Sequence, residues 1–278
     1  MAEPNARSAL YVPGNKPELF DKALDGPADV ILLDLEDSVP PQQKDSARAE
    51  VAAWLRTAPT ADRRIWVRVN PGELGREDLR LVAQPATAAI CLAKIESAQQ
   101  VAAASALLDD IGPSAAAIRL CPLLESAAAV FAAREIAAAP RVLRLQLGEA
   151  DLRAELGVTP GADEREMLLV RSQVVMASAA AGIAPPLGPV RTDFRDLNAL
   201  RDSTLALARL GFRGRTCIHP TQVPIVNEVF TPDDVERERA RTVLARFESS
   251  SGGVILDDEG RMVDLAVVRH ARRVLGMG

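Results

Sequence analysis

Short apolar runs alternate with longer stretches whose apolar positions recur every three or four residues. The first run, "SALYVPG", is closed by Pro13 and Gly14, and Asn15 stands where the helix "NKPELFDKAL" would take its N-cap. "ADVILLDLED" is the second run, followed by the helical stretch "PQQKDSARAEVAAWLR". "RIWVRVNPG" is the third and "ATAAICLAK" the fourth, which leads into the alanine-rich helix "ESAQQVAAASALLDD". "AAAIRLCPLLE" and the helix "SAAAVFAAREIAAA" make the fifth unit; "RVLRLQLG" and a helix from about Glu164 to Ala181 make the sixth. A weak seventh run, "GIAPPLGPV", precedes the helix "DLNALRDSTLALARLG", and "GRTCIHP" is the eighth. Runs apolar on both faces, separated by helices, predict parallel strands joined by crossovers. Eight of them fit a closed α/β barrel, the (β/α)8 TIM barrel, better than a six-stranded open sheet. No strong glycine-rich dinucleotide fingerprint follows the first run, which also disfavours the open sheet.

The pattern changes after the eighth run. "TPDDVERERARTVLARFESS" reads as an amphipathic helix, with Thr231 as cap and Pro232 at its first position. "SGGVILDDEGRMVD" reads as a hairpin turning at Asp258, Glu259 and Gly260, and "LAVVRHARRVLG" as a last helix. The predicted organisation is a barrel over residues 1–230 and a helix–hairpin–helix extension over residues 231–278, a lid or an oligomer contact.

Composition narrows the function classes. The chain has 278 residues, a length suited to one barrel of roughly 250 residues. Its net charge of -5 offers no basic field for nucleic acid. No 18-residue apolar run and no apolar leader occur, so a soluble, cytoplasmic protein without membrane contact is expected. Cys91, Cys121 and Cys217 lie far apart in apolar runs, as buried thiols in a reducing compartment would.

A barrel of this kind places its chemistry at the C-terminal ends of the strands. The polar residues there are Asp34, Glu36 and Asp37, then Arg68 and Asn70, Lys94 and Glu96, Glu125, Gly148 with Glu149 and Asp151, and His219. Several carboxylates with few histidines suit a hard cation, Mg²⁺ or alternatively Mn²⁺, which takes one or two protein carboxylates. Glu125 and an acid after the sixth run match that count. Taken alone, Glu149 and Asp151 could equally serve as caps of the helix that follows. Arg68, set among apolar residues, needs an anion: either Asp34 or Glu36, or a substrate carboxylate or enolate. One of Asp34, Glu36 and Asp37 is expected to pair with Lys44, Arg48 or Arg7. Lys94 could form a Schiff base, but the negative charge of Glu96 beside it argues against a neutral amine. His219 is open to a site role or a structural one, and His270 reads as a surface residue.

The stretches "RSALYVPGNKPELFDKA", "ILLDLEDSVPPQQKDSAR", "VRVNP", "LAKIES", "PLLESAAAV", "LGEADLRAELG", "GFRGRTCIHPTQV" and "GRMVDLAVVRHARRVL" occur in an order that covers nearly the whole chain. In them the chain resembles the citrate lyase beta-subunit-like branch of the HpcH/HpaI aldolase family. The resemblance implies a Mg²⁺-dependent barrel that cleaves or forms a carbon–carbon bond in a CoA thioester (citryl-, malyl- or citramalyl-CoA) and handles a small keto-acid. It implies metal ligands Glu125 and Asp151, Arg68 at the keto-acid or the thioester enolate, and a backbone contact from Gly148 to the keto-acid carboxylate. It also implies His219 near the thioester carrier, Asp264 as a lid acid/base, and a homotrimer or hexamer. Thioester hydrolysis, a malate-synthase-like condensation, or a non-catalytic binding subunit of an acyl-carrier lyase complex are the competing readings. The chain departs from the family pattern at Ala150, where relatives carry an acid, at Ala93, where they carry proline, and at Leu187, where many carry aspartate. These departures leave the metal pair intact and bear on the substrate. In this register Asp151 is the ligand and Glu149 a displaced acid, behind the ligands or facing solvent.

Overall fold

The computed structural model describes residues 6–61, 63–250, 255–256 and 260–276. The chain divides into two compact units, the first ending at Phe230 and the second beginning at Thr231.

In the first unit eight parallel strands close into a barrel in sequence order. They are β1 (Ser8–Pro13), β2 (Val30–Asp34), β3 (Ile65–Val69), β4 (Ala89–Leu92), β5 (Arg119–Leu124), β6 (Gln146–Leu147), β7 (Leu187–Gly188) and β8 (Gly214–Cys217). Closure is made by β8 against β1, with Ser8 opposite Arg215 and Leu10 opposite Cys217. Side chains alternate between the two faces of each strand. Ala9, Val30, Leu32, Trp66, Ala89, Cys91, Cys121, Leu123 and Leu187 fill the interior, while Ile31, Leu33, Ile65, Val67, Ile90, Leu120 and Leu124 pack outward under the helices. Each fully buried Leu or Ile contributes about 1.5–3 kcal/mol, so both faces must be apolar. Continuing the inward series places Asp34 on β2, Arg68 on β3 and the position after β5, Glu125, at the barrel mouth.

The outer ring comprises α1 (Phe20–Leu24), α2 (Lys44–Leu55), α3 (Gly72–Val82), α4 (Ala98–Ile111), α5 (Ala127–Phe131), α6 (Ala133–Ala137), α7 (Glu149–Leu156), α8 (Leu168–Ala181), α9 (Leu197–Leu210) and α10 (Gln222–Phe230). Two of these were not expected. α3 starts within the apparent turn at Pro71 and Gly72. α10 carries Pro224, which reads as a helix breaker but sits in the first turn, where its missing N–H costs nothing. The single helix expected over "SAAAVFAAREIAAA" is two, interrupted at Ala132. Asn15 caps nothing and instead donates to Gln43 Oε1 at 2.5 Å, while a short 3₁₀ turn, Pro17–Leu19, begins beyond it. No helix among the described residues is long and apolar enough to cross a membrane.

The second unit contains α11 (Asp234–Ser249), β9 (Ile255–Leu256), β10 (Met262–Val263) and α12 (Leu265–Val274). The strands pair antiparallel, with Met262 opposite Leu256; Asp258 and Glu259 of the expected turn lie outside the described residues. Asp233, not Thr231, caps α11, in a reciprocal box with Glu236. Ala240 and Leu244 of α11 pack with Val263, Val268 and Ala271 to form a small core.

Candidate active site

The barrel mouth holds a cavity of about 360 Å³, lined among others by Tyr11, Asp34, Arg68, Glu125, Gln146, Gly148, Asp151 and Thr216. All come from strand ends or from the first turn of α7, where a parallel barrel presents its inward side chains.

Arg68 is the polar keystone of one wall. Its Nε and Nη2 donate to the two oxygens of Asp34 at 2.6 and 2.7 Å, and its Nη1 lies 2.9 Å from Glu36 Oε2 and 3.3 Å from Asp37 Oδ2. The guanidinium also lies 4.7 Å from the Tyr11 ring centroid. Three of its five N–H groups make these hydrogen bonds, to Asp34 and Asp37, and Nη1 also pairs with Glu36, which leaves an N–H on Nη2 outside them. Arg68 is therefore a structural partner of Asp34 and at the same time lines the cavity. The expected pairing of this acid cluster with Lys44, Arg48 or Arg7 is not found. Lys44 donates to the carbonyls of Leu35 and Glu36, Arg48 pairs with Asp78, and Arg7 pairs with Asp29. Burial, with the Asp37 carboxyl alongside, pushes Glu36 up to about 7 against the pull of Arg68. Asn70 is likewise structural, bonded through its backbone and side chain to Asp78.

The opposite wall carries Glu125 and Asp151. Glu125 Oε1 accepts the backbone N–H of Lys94 at 2.7 Å. Lys94 adopts a left-handed backbone, φ 53°, that aims this amide at the carboxylate. Its ammonium reaches Asp151 Oδ2 at 2.8 Å, with Glu36 Oε1 at 3.6 Å and Glu125 Oε1 at 4.0 Å. Burial opposes this charge, but Asp151, Glu125 and Glu36 outweigh it and hold the ammonium above its ordinary range. A neutral amine is thus disfavoured, though not by Glu96, which accepts from Ser126 Oγ instead. Burial raises the Glu125 carboxyl, with Lys94 opposing. A Cβ built on Gly148 would stand 2.9 Å from Glu125 Cβ and 3.1 Å from its Oε2. Glycine here leaves open the space in front of that carboxylate. The Gly148 N–H itself donates to Leu124 O at 2.9 Å; the amides that follow open the first turn of α7, where intrahelical partners are lacking.

Glu149 neither caps α7 nor faces solvent. It is 3% exposed and accepts from Arg171 Nε and Nη2 at 2.6 and 2.9 Å and from Arg153 Nη2 at 2.5 Å. Arg171, also 3% exposed, donates in addition to Glu164 Oε2 at 2.8 Å. The displaced acid is the buried anchor of the turn that presents Asp151. The i,i+4 spacing to Arg153 is the one local signal; the burial comes from Arg171 on α8, 22 positions away.

Among the described residues no group of three or more His, Cys, Asp or Glu side chains is placed to hold a metal ion by itself. Glu125 and Asp151 share one cationic group, the Lys94 ammonium, and two carboxylates of this kind could serve a hard cation that completes its shell with substrate and water. His219 does not line the cavity; its ring stacks on Phe194 at 4.6 Å and its Nδ1 lies 2.7 Å from Thr221 Oγ1. Asp264 belongs to the second unit, where it caps α12 by accepting from the amides of Ala266 and Val267. Tyr11, Gln146 and Thr216 were not anticipated; inward parity along β1, β6 and β8 was the signal for them.

Residues 7–220 match the family described as HpcH/HpaI aldolase/citrate lyase. The chain belongs to that family. It is 35% identical to a (3S)-malyl-CoA thioesterase of Cereibacter sphaeroides, over 97% of this chain and 93% of that protein. It is 33% identical to an L-malyl-CoA/beta-methylmalyl-CoA lyase of Rhodobacter capsulatus, with 97% and 93% covered. The crystal structure of protein CitE from Mycobacterium tuberculosis, in complex with magnesium, acetoacetate and coenzyme A, superposes with a TM-score of 0.78 at 32% identity, covering 97% of each chain. The family likeness therefore extends beyond the matched barrel residues into the second unit.

Proposed function

We propose that the protein is a Mg²⁺-dependent carbon–carbon lyase acting on a hydroxy-acyl-CoA thioester of the malyl, citramalyl or citryl type. The observation that carries this reading is the Glu125–Asp151 pair beside Arg68 at the mouth of a barrel of this family. Glu125 and Asp151 would hold the cation. When bound, the ion polarises the oxygen of the β-hydroxy or keto group and anchors the adjacent carboxylate. Cleavage takes a proton from the β-hydroxyl, breaks the bond between its carbon and the thioester α-carbon, and leaves a keto-acid and a thioester enolate. The remaining N–H of Arg68 stabilises the charge that develops on the enolate oxygen. Gly148 gives the keto-acid carboxylate room to approach the first amides of α7. His219 lies towards the thioester carrier.

Asp264 transfers the proton in this reading, on the strength of the "GRMVD" resemblance. Its unit bears Val235, Leu256, Met262 and Leu265 at 58%, 64%, 59% and 61% exposure, apolar surface suited to a lid or a contact between copies in a homotrimer or hexamer. Three buried free thiols suit a cytoplasmic setting.

The test is to incubate purified protein and Mg²⁺ separately with malyl-, citramalyl- and citryl-CoA, assaying keto-acid and free CoA. Keto-acid and acyl-CoA in equal amounts, with little free CoA, is the expected result, and Asp264→Asn should slow turnover without weakening Mg²⁺ binding. The thioesterase relative favours a second reading, in which free CoA and the intact hydroxy-acid appear instead. No product from any of the three would exclude both.

A further inference from the structure

The Lys94 ammonium lies against the carboxylates that, in the reading above, hold the cation: 2.8 Å from Asp151, 4.0 Å from Glu125 and 3.6 Å from Glu36. Its backbone is separately committed, since the amide donates to Glu125 Oε1 at 2.7 Å in a left-handed conformation. One residue thus fixes Glu125 through its main chain and neutralises Asp151 through its side chain. The side chain is 43% exposed on a flexible four-carbon stem, so it can leave Asp151 without disturbing the amide contact. Glu36, already within 3.6 Å, is a second resting place.

We propose that Lys94 is an internal counter-ion that couples metal binding to substrate binding. The divalent ion must displace its ammonium from Asp151, and the displaced ammonium then pairs with the keto-acid carboxylate. Without the keto-acid, metal affinity is held down by competition for Asp151 and by repulsion between two cations. With it, the ammonium gains a new partner and the penalty is relieved. Coupling of this kind is reciprocal, so Mg²⁺ tightens keto-acid binding by the same factor. Lys94 is a positioning and gating residue for the cation, and its role rests on Glu125 and Asp151 being the metal ligands.

Isothermal titration with Mg²⁺ alone, and with Mg²⁺ in the presence of saturating pyruvate, tests this on wild type, Lys94→Met and Lys94→Arg. Methionine keeps the stem and the backbone amide but removes the charge; arginine keeps the charge. Lys94→Met should bind Mg²⁺ alone about tenfold more tightly than wild type, since a like charge is removed from the site. Lys94→Arg should stay within about threefold of wild type. Pyruvate should raise Mg²⁺ affinity in wild type by clearly more than in Lys94→Met, where only its direct contact with the ion remains. A gain in affinity is not what a merely structural lesion produces, and melting curves confirm the fold of each variant. If wild type binds Mg²⁺ and Lys94→Met binds it equally or more weakly, the role of Lys94 is overturned while the metal reading stands. If none of the three binds Mg²⁺, the metal reading fails and takes this one with it.

Discussion

Glu125→Gln is expected to lower kcat/KM by about 1,000-fold or more, the scale of losing several kcal/mol of metal-supported stabilisation of developing charge. The substitution is nearly isosteric. An amide oxygen can still accept the Lys94 N–H, so the contact at 2.7 Å survives and the turn after β5 keeps its shape. The carboxylate is buried and its proton affinity raised, so replacing it with a neutral amide costs the fold little. The melting temperature should move by no more than about 2–4 °C, the shift that 1 kcal/mol gives in a chain of this size. Activity loss with an intact fold is the signature of a ligand. A loss below about tenfold would mean that Asp151 alone holds the ion.

Glu149→Ala should have the opposite signature, with stability lost first. Removing this carboxylate strands Arg171, which is 3% exposed, and frees Arg153. Breaking a buried ion pair from one side costs about 3–5 kcal/mol because a desolvated charge is left behind. Glu164 still accepts from Arg171, which points to the lower end, about 3 kcal/mol. Urea denaturation measures it. A cost under about 1 kcal/mol would show the cluster to be a solvated surface pair in solution. Of the two places expected from sequence, behind the ligands or facing solvent, the structure puts Glu149 in the first.

The contrast between these neighbouring acids shows what a sequence discloses. Inward parity on β2, β3 and β5 points to Asp34, Arg68 and Glu125, because local periodicity alone decides which way a strand residue faces. The barrel was legible for the same reason: apolar runs separated by helical stretches leave few topologies. Helix α10 was hidden by Pro224 and α3 by the Pro71–Gly72 turn, both local signals overridden by their place in a first turn. The buried partner of Glu149 and the partners of Lys94 were illegible because they are long-range, whereas Arg153, four positions from Glu149 on α7, is a local pair. Arg171 is 22 positions from Glu149, and Asp151 is 57 positions from Lys94. No pattern within a window of the chain encodes such pairs; closing the barrel brings them together.

The central claim is that β5 and α7 together present one divalent-cation site, and titration with Mn²⁺ followed by the loss of the free-ion EPR signal tests it most directly. One site per chain is expected in the wild type, and no binding over the same concentration range in Asp151→Asn, with both proteins folded. An Asp151→Asn protein that binds one Mn²⁺ with wild-type affinity would contradict the account.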